Sequence, residues 1–108
     1  MASSFKNALA ASVGTVNTDI YTAPALTATT VIGLSLANIA ATTVTVTVTL
    51  TKGGTTVNII KAAPIPVGSS LILFGGDQKL VLETGNKFSV ISNTAASVDV
   101  VVSVLEIS

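Results

Sequence analysis

The chain is read as an all-β domain, a single antiparallel β-sandwich of jelly-roll or immunoglobulin-like type with about eight strands, on three observations. Apolar and polar residues alternate with period two, most plainly in TTVTVTVTLT (residues 42–51), and that is the side-chain period of a strand. Threonine, valine and isoleucine are abundant, while long helix-forming side chains are few. Glycine, proline and asparagine punctuate the sequence at short intervals, as in sandwiches and barrels assembled from many short strands. At 108 residues one domain accounts for the whole chain, and residues 1–17 could form an extended N-terminal arm.

A first extended segment is expected near Leu9 to Val13, although SSFKNALAA is also compatible with a turn of helix. A short strand at Asp19 to Thr22 stops at Pro24. In the strand Thr30 to Asn38, strict alternation places Ile32, Leu34 and Leu36 on one face and Val31, Gly33 and Ser35 on the other. The threonine-valine strand follows. Val44, Val46, Val48 and Leu50 turn toward the core, and Thr43, Thr45, Thr47 and Thr49 turn toward solvent or a neighbouring copy. Such a strand cannot stand alone and needs a second packed layer.

Lys52-Gly53-Gly54-Thr55 is expected to be a tight hairpin, because paired glycines accept the positive φ of short loops; it leads into a strand over about Thr56 to Lys61. Pro64 and Pro66 place APIPVG at a bend or sheet edge before a strand at Ser70 to Phe74. Gly75-Gly76-Asp77 turns the chain into Lys79 to Leu82, and Gly85-Asn86 is expected to form a hairpin turn between VLE and KFSVIS. NTAAS is the last loop before the terminal strand, Ser97 to Ile107.

The terminal strand is apolar on both faces: Val98, Val100, Val102 and Val104 share one, and Val101, Leu105 and Ile107 share the other with Asp99 and Ser103. It is either a central strand covered on both sides or a strand with one face docked on a neighbouring subunit. The LILF run, residues 71–74, allows the same two readings. Leu71, Leu73, Val101, Leu105 and Ile107 are therefore candidate interface residues.

Composition supports partial concealment. Charged residues make up 9% of the chain and sum to zero, with a mean hydropathy of +0.80. A free surface normally carries roughly a quarter or more charged residues, so part of this one is expected to be hidden in an assembly. All five basic residues are lysines, widely spaced, which argues against nucleic acid and anionic membranes as partners. The best candidate span, VIGLSLANIAA, is interrupted by serine and asparagine and falls short of the about 20 apolar residues a membrane helix needs. Aromatics, at 4%, are too few for the girdles of a membrane barrel. MASSFKNALAASVG has one lysine and no long apolar core, so it reads as the start of the mature protein.

Groups that do chemistry are scarce. There is no histidine, and the lack of cysteine removes disulfides and thiolate metal sites. Of the acids Asp19, Asp77, Glu83, Asp99 and Glu106, the pair Asp77 and Glu83 lies close in sequence, but it reads as a turn aspartate and a solvated strand-end glutamate. Asp77 beside two glycines is too little for a calcium site. Neither glycine pair leads into a helix that could cradle a phosphate. Phe5, Tyr21, Phe74 and Phe88 are scattered, with core packing their expected role rather than base stacking. A threonine array matched to ice would recur strand after strand, and here one strand has it. No catalytic, cofactor-binding or metal-binding residue is assigned, and an enzyme is not expected.

The stretches TKGGTTVNIIKAAPIPVGSSL, GGDQKLVLETGNKFSV and SVDVVVSVLEIS, together with SSFKNALAASVGT and IYTAP nearer the start, span nearly the whole chain. In them the sequence resembles small virion structural proteins of tailed bacteriophages of the marine and cyanophage type. Those proteins carry an acidic residue after the glycine of the LETGN segment; Asn86 stands there in this chain, so no metal or charge contact is carried over. The resemblance implies a noncatalytic particle component, assembled in the host cytoplasm and located on the virion, most simply at the capsid surface. Between capsid and tail the resemblance does not choose; the first expectation is a decoration, or cement, protein that binds the major capsid protein lattice or another virion protein and forms a homo-oligomer, a dimer or trimer. Leu71, Leu73, Val101, Leu105 and Ile107 would then belong to an oligomer or capsid interface. A tail- or fibre-associated host-binding module is the alternative, and a glycan-active enzyme ranks last for want of a general acid and base.

Overall fold

The computed structural model describes residues 3–74 and 80–107. The described residues form nine strands: β1 (Ser3–Val13), β2 (Thr18–Thr22), β3 (Ala28–Asn38), β4 (Val44–Lys52), β5 (Thr55–Ile65), β6 (Ser70–Phe74), β7 (Leu80–Leu82), β8 (Lys87–Ser92) and β9 (Val98–Ile107). At the Gly53-Gly54 turn Gly53 adopts φ +59°, which lets Lys52 pair directly with Thr55 and closes the β4–β5 hairpin. From that tip outward the two arms of the chain stay paired and antiparallel: β4 with β5, β3 with β6 and β7, β2 with β8, and β1 with β9.

Two further pairings, β9 with β3 and β8 with β4, roll this long hairpin into two sheets. Sheet A has the order β1-β9-β3-β6, with β7 also on β3, and sheet B the order β2-β8-β4-β5. With β6 and β7 taken as halves of one edge strand, this is a jelly roll rather than an immunoglobulin-like sandwich. Residues 1–17 contain β1, which is hydrogen-bonded along β9.

The core lies between the sheets. Sheet A contributes Val31, Leu34, Leu36, Val100, Val102 and Val104, and sheet B Val44, Val46, Val48, Phe88 and Val90, all buried. Each such side chain contributes about 1.5–3 kcal/mol relative to exposure. The alternation of β4 holds as the sequence predicts: its valines face this core, and Thr45, Thr47 and Thr49 are half-buried on the outer face of sheet B.

Strict alternation fails in β3. Val31 pairs with Val104 and Gly33 with Ser103, so Ile32 is an extra residue in β3 that resets the pleat. Val31 therefore points inward together with Leu34 and Leu36, and Ile32 leaves the buried face to which simple alternation assigned it. Both long edge strands are bulged as well. In β1, Ala11 and Ser12 oppose Asp99, and the Ser12 amide, at φ +55°, donates to Asp99 Oδ1 at 2.8 Å. In β5, Lys61 and Ala62 oppose Thr47, and the Ala62 amide, at φ +52°, donates to Thr47 Oγ1 at 3.0 Å.

The expected hairpin at Gly85-Asn86 does not form. Leu80–Leu82 pairs with β3 in sheet A, while Lys87–Ser92 joins β2 and β4 in sheet B, so the segment between them crosses from one sheet to the other. It is still a tight turn: the Asn86 amide donates to Glu83 O at 3.0 Å, with Gly85 at φ +85°. Backbone bonds between Ala23 and the Gly85-Asn86 pair, at 3.0 and 2.9 Å, tie this crossing to the end of β2. The Gly75-Gly76-Asp77 turn lies outside the described residues.

Candidate interaction surface

Because β9 is central in sheet A, its outward residues set the rows of that sheet's outer face. Phe5 on β1 pairs with Leu105, Leu105 with Thr30, and Thr30 with Val81 on β7, giving one row. Leu9, Val101, Ser35 and Ile72 give a second. Between them runs a small, polar row of Asn7, Ser103 and Gly33. Strand geometry sets the two apolar rows about 13 Å apart. Phe5 is 77% exposed, Leu9 71%, Ile72 68%, Val81 65% and Val101 42%.

Asp99 is the sole charged side chain on this face among the described residues, and one of its oxygens is engaged by the Ser12 amide. Shallow grooves of about 290 Å³, between Phe5, Lys6, Asn7, Ile32 and Ser103, and about 190 Å³, between Leu9, Ala11, Asp99 and Val101, mark the same surface. It is an extended surface of low charge on which Phe5, Leu9, Ile72, Val81 and Val101 stand exposed. Concentrations of exposed apolar side chains like this one are usually covered in the working assembly.

Of the residues singled out from sequence, Val101 is exposed, and Leu105 and Ile107 are half-buried on this outer face. Leu71 and Leu73 lie half-buried against the core, and the outward residue of the LILF run is Ile72. Phe5, expected in the core, is instead exposed beside Leu105. Sequence reasoning missed Phe5, Leu9, Ile72 and Val81. The alternation F-x-N-x-L at residues 5–9 was the readable signal for the first two.

The titratable groups are spread over the molecule. Glu106, buried at the inner face of β9, accepts a hydrogen bond at 2.5 Å from the Tyr21 hydroxyl of sheet B and an ion pair at 2.9 Å from Lys6 of β1. Hydrogen bonds from Tyr21 and then Lys6 hold its carboxyl below the ordinary value of 4.5. Burial, and then the bond to Glu106, push the Tyr21 phenol up to about 12. Asp19 is lowered chiefly by the Ser89 hydroxyl, which donates at 2.7 Å, with Lys87 at 3.3 Å. Glu83 pairs at the surface with Lys52 at 3.2 Å. Asp77, weighed with Glu83 as a carboxylate pair and alone as a calcium ligand, lies outside the described residues. No group of three or more acids that could hold a metal occurs among the described residues.

The acids so placed join strands and sheets; they do not converge on an open cleft. Comparison of the chain with family models, with curated proteins and with solved structures returned no match.

Proposed function

We propose that this chain is a noncatalytic structural subunit of a bacteriophage virion, specifically a decoration protein that caps the capsid lattice and holds neighbouring major capsid proteins together. The observation that carries the reading is the outer face of sheet A, where Phe5, Leu9, Ile72, Val81 and Val101 stand exposed and Asp99 is the one outward-pointing charge among the described residues. Jelly rolls serve widely as virion building units, and the resemblance of the sequence to small phage virion proteins supports the same assignment. Each copy would bury modest apolar area, and repetition over the lattice would supply the holding strength.

Co-sedimentation of the purified protein with heads lacking it tests this reading. Saturable binding to heads that raises their resistance to heat, and is weakened by Val101→Asp, is the expected result. Labelling confined to the tail would move the protein to a tail-associated role, and no binding to any particle would overturn the proposal.

A further inference from the structure

Three of the four sheet edges are blunted, in the ways proteins use to prevent strand pairing between molecules. The β5 edge carries Pro64, the exposed Lys61 and the Lys61–Ala62 bulge. The edge beyond β3 is divided between the short strands β6 and β7. β2 has only five residues, with a register shift between Asp19 and Tyr21. The β1 edge is bulged only at its end, at Ala11–Ser12; from Ser3 to Ala10 it pairs with β9 without interruption and holds neither proline nor glycine. Its one charge, Lys6, stands in register with the inward-facing Val104; its side chain is still 57% exposed, and it pairs with Glu106 at 2.9 Å.

We infer that β1 is a docking edge for a second copy of this chain, which adds its own β1 antiparallel across a two-fold axis and joins two A sheets into one. A two-fold perpendicular to the sheet must lie midway between two copies of one residue, since opposed side chains in a pleated sheet share a face. Centred on Lys6, the pairing would bring two like charges together, and centred on Ala8 it would set Leu9 against Asn7. Centred on Asn7, it places Phe5 opposite Leu9 of the second copy and Leu9 opposite Phe5, with Asn7 facing Asn7 at the axis. Both exposed apolar side chains then gain an apolar cross-strand neighbour, and each apolar row of one copy continues into a row of the other.

Seven residues a side, Ser4 to Ala10, with these two side chains at the joint, bury on the order of 1,000 Å² in total, the lower bound for a specific interface. The dimer is therefore expected to be concentration-dependent, in roughly the micromolar range.

The chain contains no cysteine, so Asn7→Cys introduces a single thiol at the axis. Oxidation of this variant should give a covalent dimer far faster than Lys61→Cys on the blunted β5 edge. Sedimentation equilibrium should show dimerisation of the unmodified chain, and Asn7→Lys, which sets two positive charges face to face, should raise the dissociation constant at least tenfold without shifting the melting temperature. A chain that stays monomeric as concentration rises, or cross-linking no faster through Cys at 7 than at 61, would overturn the pairing. A dimer broken by Val101→Asp but untouched by Asn7→Lys would do so too. These measurements use the isolated chain, so they are independent of whether it binds phage heads.

Discussion

Tyr21 of sheet B donates its hydroxyl hydrogen to Glu106 of sheet A at 2.5 Å, and the same hydroxyl lies 3.2 Å from Thr29 Oγ1 on β3. A buried carboxylate is costly unless it is paired and hydrogen-bonded, and here one partner comes from each sheet. The group thus acts as a polar clasp between the two sheets.

The clasp should make stability depend on pH at both ends. The folded-state value of Glu106 lies below its ordinary 4.5, so on acidification the unfolded chain takes up the proton first. Its contribution is complete above about pH 4.5 and is lost as pH falls through the depressed folded value. The Tyr21 phenol moves from 10.0 to about 12, so its contribution is whole below pH 10 and is lost as pH rises toward 12. Urea midpoints measured across pH should fall at both extremes. Glu106→Gln should flatten the acid limb and Tyr21→Phe the alkaline one, with Tyr21→Phe costing about 1–2 kcal/mol at neutral pH.

Asn38 is a second buried polar post. Its Nδ2 donates to Thr42 O at 2.9 Å and Ile65 O at 2.8 Å, and its Oδ1 accepts from the Ala40 amide at 2.8 Å, so one side chain fixes the β3–β4 loop against the end of β5. Asn38→Ala should cost about 2–3 kcal/mol in chemical denaturation, because the Ile65 carbonyl is left buried without its donor. Asn38→Asp should cost more, since a carboxylate would face two carbonyl oxygens.

Gly14 is required by space. A β-carbon there would sit 2.9 Å from the Ala96 nitrogen and 3.1 Å from the Ala95 Cα, both backbone atoms that cannot swing away. Gly14→Ala should destabilise by about 1–3 kcal/mol, as overpacking does. Gly54→Ala, where nothing lies within 4 Å, should stay within about 0.5 kcal/mol. Thermal melts of the two variants side by side check the contrast.

Neighbouring residues on β9 should respond oppositely to the same change. Val101 is exposed and Val102 fully buried. Val101→Asp should leave stability within about 1 kcal/mol. Val102→Asp places an unpaired charge in the core and should abolish cooperative folding, as seen by circular dichroism.

Much of this architecture was legible in the residues. The period-two pattern gave the correct inward face of β4 and the correct two faces of β9, and Gly53-Gly54 marked a true hairpin, because both signals are local: pleat and turn conformation depend on a residue and its immediate neighbours. The candidate surface was half legible. Val101, Leu105 and Ile107 could be named from the two-sided apolar character of β9, but Leu71 and Leu73 were named where Ile72 is the residue that faces out. A short apolar run does not reveal which of its faces a register assigns to solvent.

What the sequence determined alone is therefore the strand content, the tight turn at Gly53-Gly54 and an unusually apolar, weakly charged chain. Tertiary structure decided the rest: that Gly85-Asn86 crosses between sheets, that Ile32 is a bulge, that Phe5 stands exposed on an edge, and that Tyr21 and Glu106 meet from positions 85 residues apart. The physical reason is that alternation is encoded by neighbours along the chain, whereas strand order, register and bulges depend on which distant segments pair. A shift of one residue in such a pairing turns every side chain beyond it to the opposite face.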